Sequence, residues 1–493
     1  MLVGVDIGTQ SLKAAVTDDG LAMKGAGFRA YRPDFPGPGR AEQDPRLWER
    51  SLGPAIADAL GAARADAHQV RGLAVCGQLD GCIPVDGRGE PSGPCLTWMD
   101  RRAGPELLDI DTDSLHAKTG IVPDASHLGA KIRWLKRHQD GAARYHQPVS
   151  HMVERLTGAF VIDHALASTS MLYDLRARDY DDALLSAFGV RRAELPSLAP
   201  SGECAGRLTA AGAALTGLPA GIPVAVGTGD DFSTPLGAGL TQAGEVSVAI
   251  GTGEVVGALF AEPVIDGGRL VETHAYPAGG YFVENPGWLA GGAVTWLRDL
   301  LGIADYEGFD ATAALAPAGS DGVVFLPALT GTMAPEWIAA ARGCFYGLTP
   351  AHGAQHLARA LLEGCGFAMR DVLARLAELG ARPTSIRLLA GGSRSALAAQ
   401  LRADISGLPV LLAEHAHSSV LGAALLAGVA TGIFPDVRQA AAQLAAPARS
   451  LMPDAAAGAT LEQSYQRYRR LFAAVKSFVS SPCSDHADHR QDH

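Results

Sequence analysis

Residues 3–14 read "VGVDIGTQSLKA": an alternating apolar run, a glycine turn, then a second run. The following "KAAVTDDG" and "LAMKGAG" continue the same rhythm, so the first 30 residues read as a β-meander rather than a βαβ unit. Half a chain later, "VSVAIGTGE" (246–254) repeats the pattern and opens a second meander, "GEVSVAIGTGEVVGALF". An internal repeat of this period predicts two lobes of similar core topology. A third glycine turn, "AGGSRS" (390–395), follows the strand-like "SIRLL" and precedes a helical run. Glycine lets the backbone approach a ligand and turn several N–H groups toward an anion, so three such turns point to phosphate. None fits the P-loop or the dinucleotide fingerprint.

A fourth stretch, "GTGDDF" (227–232), ends the apolar run "IPVAV" with two adjacent carboxylates. It reads as a solvated loop, a metal site or a catalytic base. In an extended segment, Asp230 and Asp231 would face opposite sides.

A chain of 493 residues predicts two or three domains. A formal charge of −11 argues against broad binding to nucleic acid. No run of about 20 apolar residues predicts a membrane span. The N-terminus reads as a strand rather than a signal peptide, and seven scattered cysteines form no CxxC pair, so the cytoplasm is the expected location. Asp44-Pro45 caps a predicted helix in "EQDPRLWERSL", and "AKIRWLKRH" is a second helix. Leu357, Leu361, Gly364, Ala368, Val372, Leu376 and Leu379 mark one face of a long core helix. The polar tail 480–493 is expected to be disordered, its histidines solvated.

These segments, in this order, resemble the FGGY carbohydrate kinases of the actin-like, hexokinase and Hsp70 ATPase superfamily. The resemblance runs from Leu2 to about residue 475. "VGVDIGTQSLKA" resembles the first phosphate loop, "AEQDPRLWERSL" the EQ-x-P-x-x-W segment, and "VCGQLDG" with "WMDRRA" the sugar-binding elements. "AKIRWLKRH" and "GCFYGLTPAHGAQHLARALLEG" resemble the two family signatures, and "AGGSRS" the adenosine turn. The implied architecture is α/β: a two-lobed actin-like ATPase (ribonuclease H-like) fold with a central nucleotide cleft. Its lobes span 1–243 and 244–479.

The resemblance implies an ATP-dependent carbohydrate kinase using Mg²⁺. Asp230 takes the place of the family's general base, and Asp231 stands where xylulokinases usually have asparagine. Gln78, Leu79 and Asp80 fall in the sugar site; Gln78 has a structural alternative. Asp100 and Arg101 either contact sugar or pair with each other, and Trp98 stacks on sugar or fills core. Thr9, Gln10, Ser11 and Lys13 meet the phosphates from one side, Gly251 and Thr252 from the other. Gly291, Thr295, Gly392 and Ser393 line the nucleotide, and Asp6 is the candidate magnesium ligand. Xylulokinases usually read GQMHG where this chain has "GQLDG", and glycerol kinases carry Arg-Glu at the positions of Leu79 and Asp80. "GTMAP" (331–335) replaces the family's usual charged ERTP.

The expected reaction is phosphorylation of a ketopentose, D-xylulose first, with ribulose, another ketose or a glycerol-like polyol as alternatives. A sugar sensor, an Hsp70-like ATPase or an actin-like filament protein are readings without catalysis. The implied partners are a small sugar and ATP, with no nucleic acid or membrane; a homodimer is a family-level expectation.

Overall fold

The computed structural model describes residues 1–139, 141–413 and 417–480. Two sheets of seven strands dominate it. In the first, strand Leu2–Ile7 pairs antiparallel with Ser11–Thr17 and parallel with Gly72–Gly77. In the second, strand Val246–Ile250 pairs antiparallel with Gly253–Phe260 and parallel with Ile386–Leu389. A third antiparallel strand completes each meander, Met23–Ala30 in one half and Tyr281–Leu289 in the other. The repeat seen in "VGVDIGTQS" and "VSVAIGTGE" is therefore a repeat of sheet topology. All six residues of Leu2–Ile7 are buried, as expected for a strand covered on both faces.

Helix Pro45–Ala63 covers the first meander. Asp44 caps it by accepting from the Arg46 N–H, and Trp48, Leu52 and Ile56 point into the core. Gly25 and Gly27 let it sit directly on strand Met23–Ala30: a Cβ on Gly27 would lie 2.0 Å from the Ala55 carbonyl oxygen. The long helix Ala354–Glu378 buries Leu361, Gly364, Ala368, Val372 and Leu376 on the predicted face, with Leu357 and Leu379 half-buried.

The halves are joined by a contact that no local pattern announced. Helix Ser418–Ala430, late in the chain, packs on the first strand. A Cβ on Gly4 would stand 2.1 Å from the Val420 carbonyl oxygen and 2.6 Å from the Ala424 nitrogen. The same helix crosses helix Asp230–Leu236, where Gly422 meets the Ser233 carbonyl and Gly237 the Ser418 carbonyl. Leu2, Phe232, Leu236, Phe282 and Ala423–Ala427 share one apolar cluster here.

Helix Ala455–Ser480 carries regular structure through Ser480, where the polar tail was expected to begin. The rest of that tail, 481–493, lies outside the described residues. Among the described residues no helix is long and apolar enough to cross a membrane.

Candidate active site

The first glycine turn sits between Ile7 and Ser11. Gly8 N–H donates to the Ser11 carbonyl at 2.9 Å, and the Tyr31 hydroxyl donates to the Gly8 carbonyl at 2.8 Å. Gln10 is exposed, and Thr9 and Ser11 are half-buried. Trp98, 44 % exposed, donates its indole N–H to Thr9 Oγ1 at 2.9 Å. Trp98 is thus not a core tryptophan; it props the turn.

Asp6 and Lys13 face each other across the hairpin, Nζ to Oδ2 at 3.3 Å. Ser419, from the late helix, donates to the same oxygen at 2.8 Å. Asp6 Oδ1 is buried with no protein partner. A hard cation that keeps most of its waters and substrate phosphates needs only one or two carboxylates, so this orphaned oxygen fits Mg²⁺. Among the described residues no cluster of three or more acidic, histidine or cysteine side chains forms a protein-only metal cage.

Asp230 and Asp231 open helix Asp230–Leu236 instead of lying extended, with Gly229 as its N-cap. Adjacent helical side chains diverge by about a quarter turn rather than a half, so the two carboxylates stay close enough to repel. Burial pushes the Asp230 carboxyl well above the ordinary range, and Asp231 and Asp6 add to the rise. Burial raises Asp231 to about 6, with Asp80 and Asp6 contributing. Lys13 opposes the rise at Asp230. Leu79, from the GQLDG loop, lies over Gly229, where a Cβ would come 2.9 Å from Leu79 Cγ.

That loop ends strand Gly72–Gly77. Gln78 is buried; its Nε2 donates to Gln43 Oε1 at 2.8 Å, and Gln43 Nε2 donates to the Thr9 carbonyl at 2.6 Å. The GQLDG loop is therefore wired to the first glycine turn. Asp80 sits at φ 58°, a left-handed conformation that aspartate tolerates better than most residues. Its N–H donates to Gln147 Oε1 at 3.1 Å. Lys131, fully buried, donates to the Asp80 carbonyl at 2.7 Å and the Thr97 carbonyl at 2.6 Å. This lysine belongs to the "AKIRWLKRH" helix, and its charge braces two main-chain carbonyls.

Asp100 and Arg101 do not pair. Asp100 is fully buried, and both its oxygens are taken by Arg102 and by the Ala41 N–H, the latter at 2.8 Å. Arg102 curls back because Glu42 also holds its Nη2, at 2.6 Å. No lone pair of Asp100 is left for a sugar, so this carboxylate braces the loop. Arg101 forms an ion pair with Asp124.

Gly251, Gly291 and Gly392 converge at the end of strand Val246–Ile250. Gly291 fits against the Gly251 carbonyl, where a Cβ would stand 2.1 Å away, and Gly392 packs on Ile250, where a Cβ would lie 2.4 Å from Ile250 Cβ. Gly251 and Thr252 are exposed. The Thr295 hydroxyl bonds the Gly291 carbonyl at 3.0 Å and the Tyr306 hydroxyl at 2.8 Å. Gly392 and Ser393 lie in the short 3₁₀ helix Ala390–Arg394. Fully buried Glu254, next to the turn, holds Arg402 at 2.6 Å and 3.0 Å. That ion pair bolts the second turn to helix Ala396–Ser406, just after the third.

Sequence patterns did not single out His127, Glu272, His274, Glu284 or Ser419. Glu272 and Glu284 stand directly opposite on strands Glu272–Ala275 and Tyr281–Leu289. The polar run "ETH" (272–274) within an otherwise apolar segment is the local signal for Glu272 and His274.

Residues 1–237 match the N-terminal domain of the FGGY family of carbohydrate kinases, and residues 246–431 match its C-terminal domain. The chain belongs to this family. FGGY carbohydrate kinases are ATP-dependent, and this chain is an ATP-dependent carbohydrate kinase by membership. It is 30 % identical to a glycerol kinase of Thermococcus kodakarensis over 455 residues, covering 89 % of this chain and 90 % of the relative. It is 29 % identical to a xylulose kinase of Escherichia coli K12, covering 96 % and 98 % of the two chains. A solved xylulose kinase from Rhodospirillum rubrum superposes with a TM-score of 0.87 at 29 % identity, covering 97 % of this FGGY kinase and 99 % of that chain. The actin-like two-lobed fold follows from such structures.

Proposed function

We propose that this FGGY kinase phosphorylates a ketopentose, converting D-xylulose to D-xylulose 5-phosphate, with Asp230 as the general base. The observation that carries the reading is the position of Asp230. It starts a helix whose N-cap touches the GQLDG loop on one side, while its charge is coupled to Asp6 and Lys13 of the phosphate turn on the other. The reading divides the chain into lobes 1–243 and 244–479, with the acceptor held by the first and adenosine by the second.

In the reaction the acceptor oxygen forms a bond to the γ-phosphorus as the bond to the β–γ bridging oxygen breaks and ADP leaves. Asp230 takes the hydroxyl proton as that bond forms. Gln78, Leu79, Asp80 and Asp231 line the acceptor side. Thr9, Gln10, Ser11 and Lys13 hold the phosphates from the first turn, and Gly251 and Thr252 from the second. Gly291, Thr295, Gly392 and Ser393 border the nucleotide. Asp6 would hold Mg²⁺, which neutralises phosphate charge. Closure of the lobes excludes water as a competing acceptor.

Leu79 supports a ketopentose over glycerol, because it supplies no arginine where glycerol kinases carry one. Similarity to a glycerol kinase over 89 % of the chain favours a second reading, a small polyol. A coupled ADP assay with D-xylulose, D-ribulose, L-ribulose, glycerol and erythritol separates them. The first reading expects the highest kcat/KM with D-xylulose; a tenfold preference for glycerol would replace it with the second.

A further inference from the structure

Asp80 faces a histidine that is no part of the glycine turns or the GQLDG loop. His127 Nδ1 lies 3.1 Å from Asp80 Oδ2, and its Nε2 lies 3.9 Å from Glu272 Oε1. The first carboxylate belongs to the N-terminal half, the second to a strand of the C-terminal sheet. Glu272 Oε1 also accepts the Val122 N–H at 2.9 Å, so the glutamate is itself fixed to the N-terminal half. His127 and Glu272 are buried, and Asp80 is nearly so. Asp80 Oδ1 makes no protein hydrogen bond of good geometry, though the Thr169 hydroxyl stands beside the carboxylate.

We propose that His127 is a positioning residue of the acceptor pocket: strung between Asp80 and Glu272 across the two lobes, it fixes Asp80 so that its remaining oxygen accepts acceptor hydroxyls. This rests on the reading that Asp80 lines the acceptor site. The charges agree with the geometry. Burial works against a charged His127, but Asp80, then Glu272 and Asp124, outweigh it and raise the imidazole to about 9. Burial likewise works against a charged Asp80, and His127 first, then Lys131 and the Thr169 hydroxyl, overcome it, holding the carboxyl below its ordinary value. The groups facing His127 are Asp80, Asp124, Glu272 and His274, and Lys131 acts on Asp80. Burial drives His274 down to about 4, so His127 is the charged imidazole of the pair at neutral pH. A buried carboxylate without this counterion would lose its charge or swing away.

Two measurements on the full chain test the proposal. The first is NMR titration of the histidine side chains, with the His127 signal assigned by its loss in His127→Gln. The ring is expected to stay protonated past pH 8 in the parent, and its titration to fall by at least one unit in Asp80→Asn. A His127 ring that titrates at its ordinary value in the parent overturns the clamp whatever the substrate is. The second is steady-state kinetics of His127→Gln and Glu272→Gln with D-xylulose and with glycerol. The KM for the acceptor is expected to rise at least tenfold in His127→Gln, more than kcat falls, while the KM for ATP stays within threefold. Equal losses in acceptor and ATP parameters together with a lowered Tm would make His127 a purely structural residue and overturn the proposal. A normal clamp by NMR with an unmoved acceptor KM would instead remove Asp80 from the acceptor site.

Discussion

Replacing Asp230 by asparagine should stop phosphoryl transfer without weakening the protein. A positioned general base contributes roughly 10²–10⁴ in rate, which corresponds to about 3–5 kcal/mol of barrier. The structure favours the upper part of that range. Asp231 feels Asp80 more strongly than Asp6, so it stands nearer the GQLDG loop than Asp230 does. Asparagine keeps the size of the side chain and the start of helix Asp230–Leu236. It removes one of the three mutually repelling carboxylates Asp6, Asp230 and Asp231. The Asp230 carboxyl is raised on folding, so the folded state binds its proton more tightly than the unfolded chain does. Stability is therefore lost as pH rises from the unfolded value through the folded one, and the variant escapes that loss. At pH 7.5 its Tm should equal or exceed the parent's. Lys13 keeps Asp6 at 3.3 Å, so ATP affinity should stay within threefold. The assay is acceptor-dependent ADP release, paired with calorimetric ATP binding and a thermal melt. Turnover within tenfold of the parent in a folded variant would sink the assignment of Asp230 as the base.

Asp231→Asn tests the same electrostatics by pH. Its carboxyl rises on folding from an ordinary value near 4 to about 6, so the parent should lose Tm between those pH values and the variant should lose less; parallel Tm curves would contradict the repulsion. Asp100→Ala removes a fully buried carboxylate from its half-buried partner Arg102, and breaking such a pair costs about 3 kcal/mol. A sugar contact would instead raise the acceptor KM and leave the melt unchanged. Gly4→Ala places a Cβ 2.1 Å from a helix carbonyl that cannot rotate away. Overpacking of this kind costs roughly 1–3 kcal/mol or more, so urea unfolding should shift to lower concentration, and an unchanged midpoint would contradict the packing of helix Ser418–Ala430 on the first strand.

The meanders and their turns were legible because each is built from residues adjacent in the chain. Alternation of Val3, Val5 and Ile7 makes a strand, and Gly8 ends it; the same holds for Val246, Val248, Ile250 and Gly251. Asp44-Pro45 marked its helix for the same reason. The helical start at Asp230 was missed, because "TGDDF" carries no periodic apolar run ahead of it and Gly229 caps without a side chain. Arg102 was passed over in favour of Arg101, since only the position of Glu42 decides which arginine turns inward.

Local chemistry along the chain therefore accounts for the strands, the three glycine turns and the residue types gathered at them. Which of those residues meet was settled in space. Ser419 reaches Asp6, His127 stands between Asp80 and Glu272, and helix Ser418–Ala430 lies on Gly4 only once both sheets are packed. Ionisation was settled there too. Desolvation and Coulomb interaction depend on distance and burial, not on position in the chain. That is why two neighbouring aspartates became a raised, repelling pair, while Asp80, far from both in sequence, keeps its charge through a histidine.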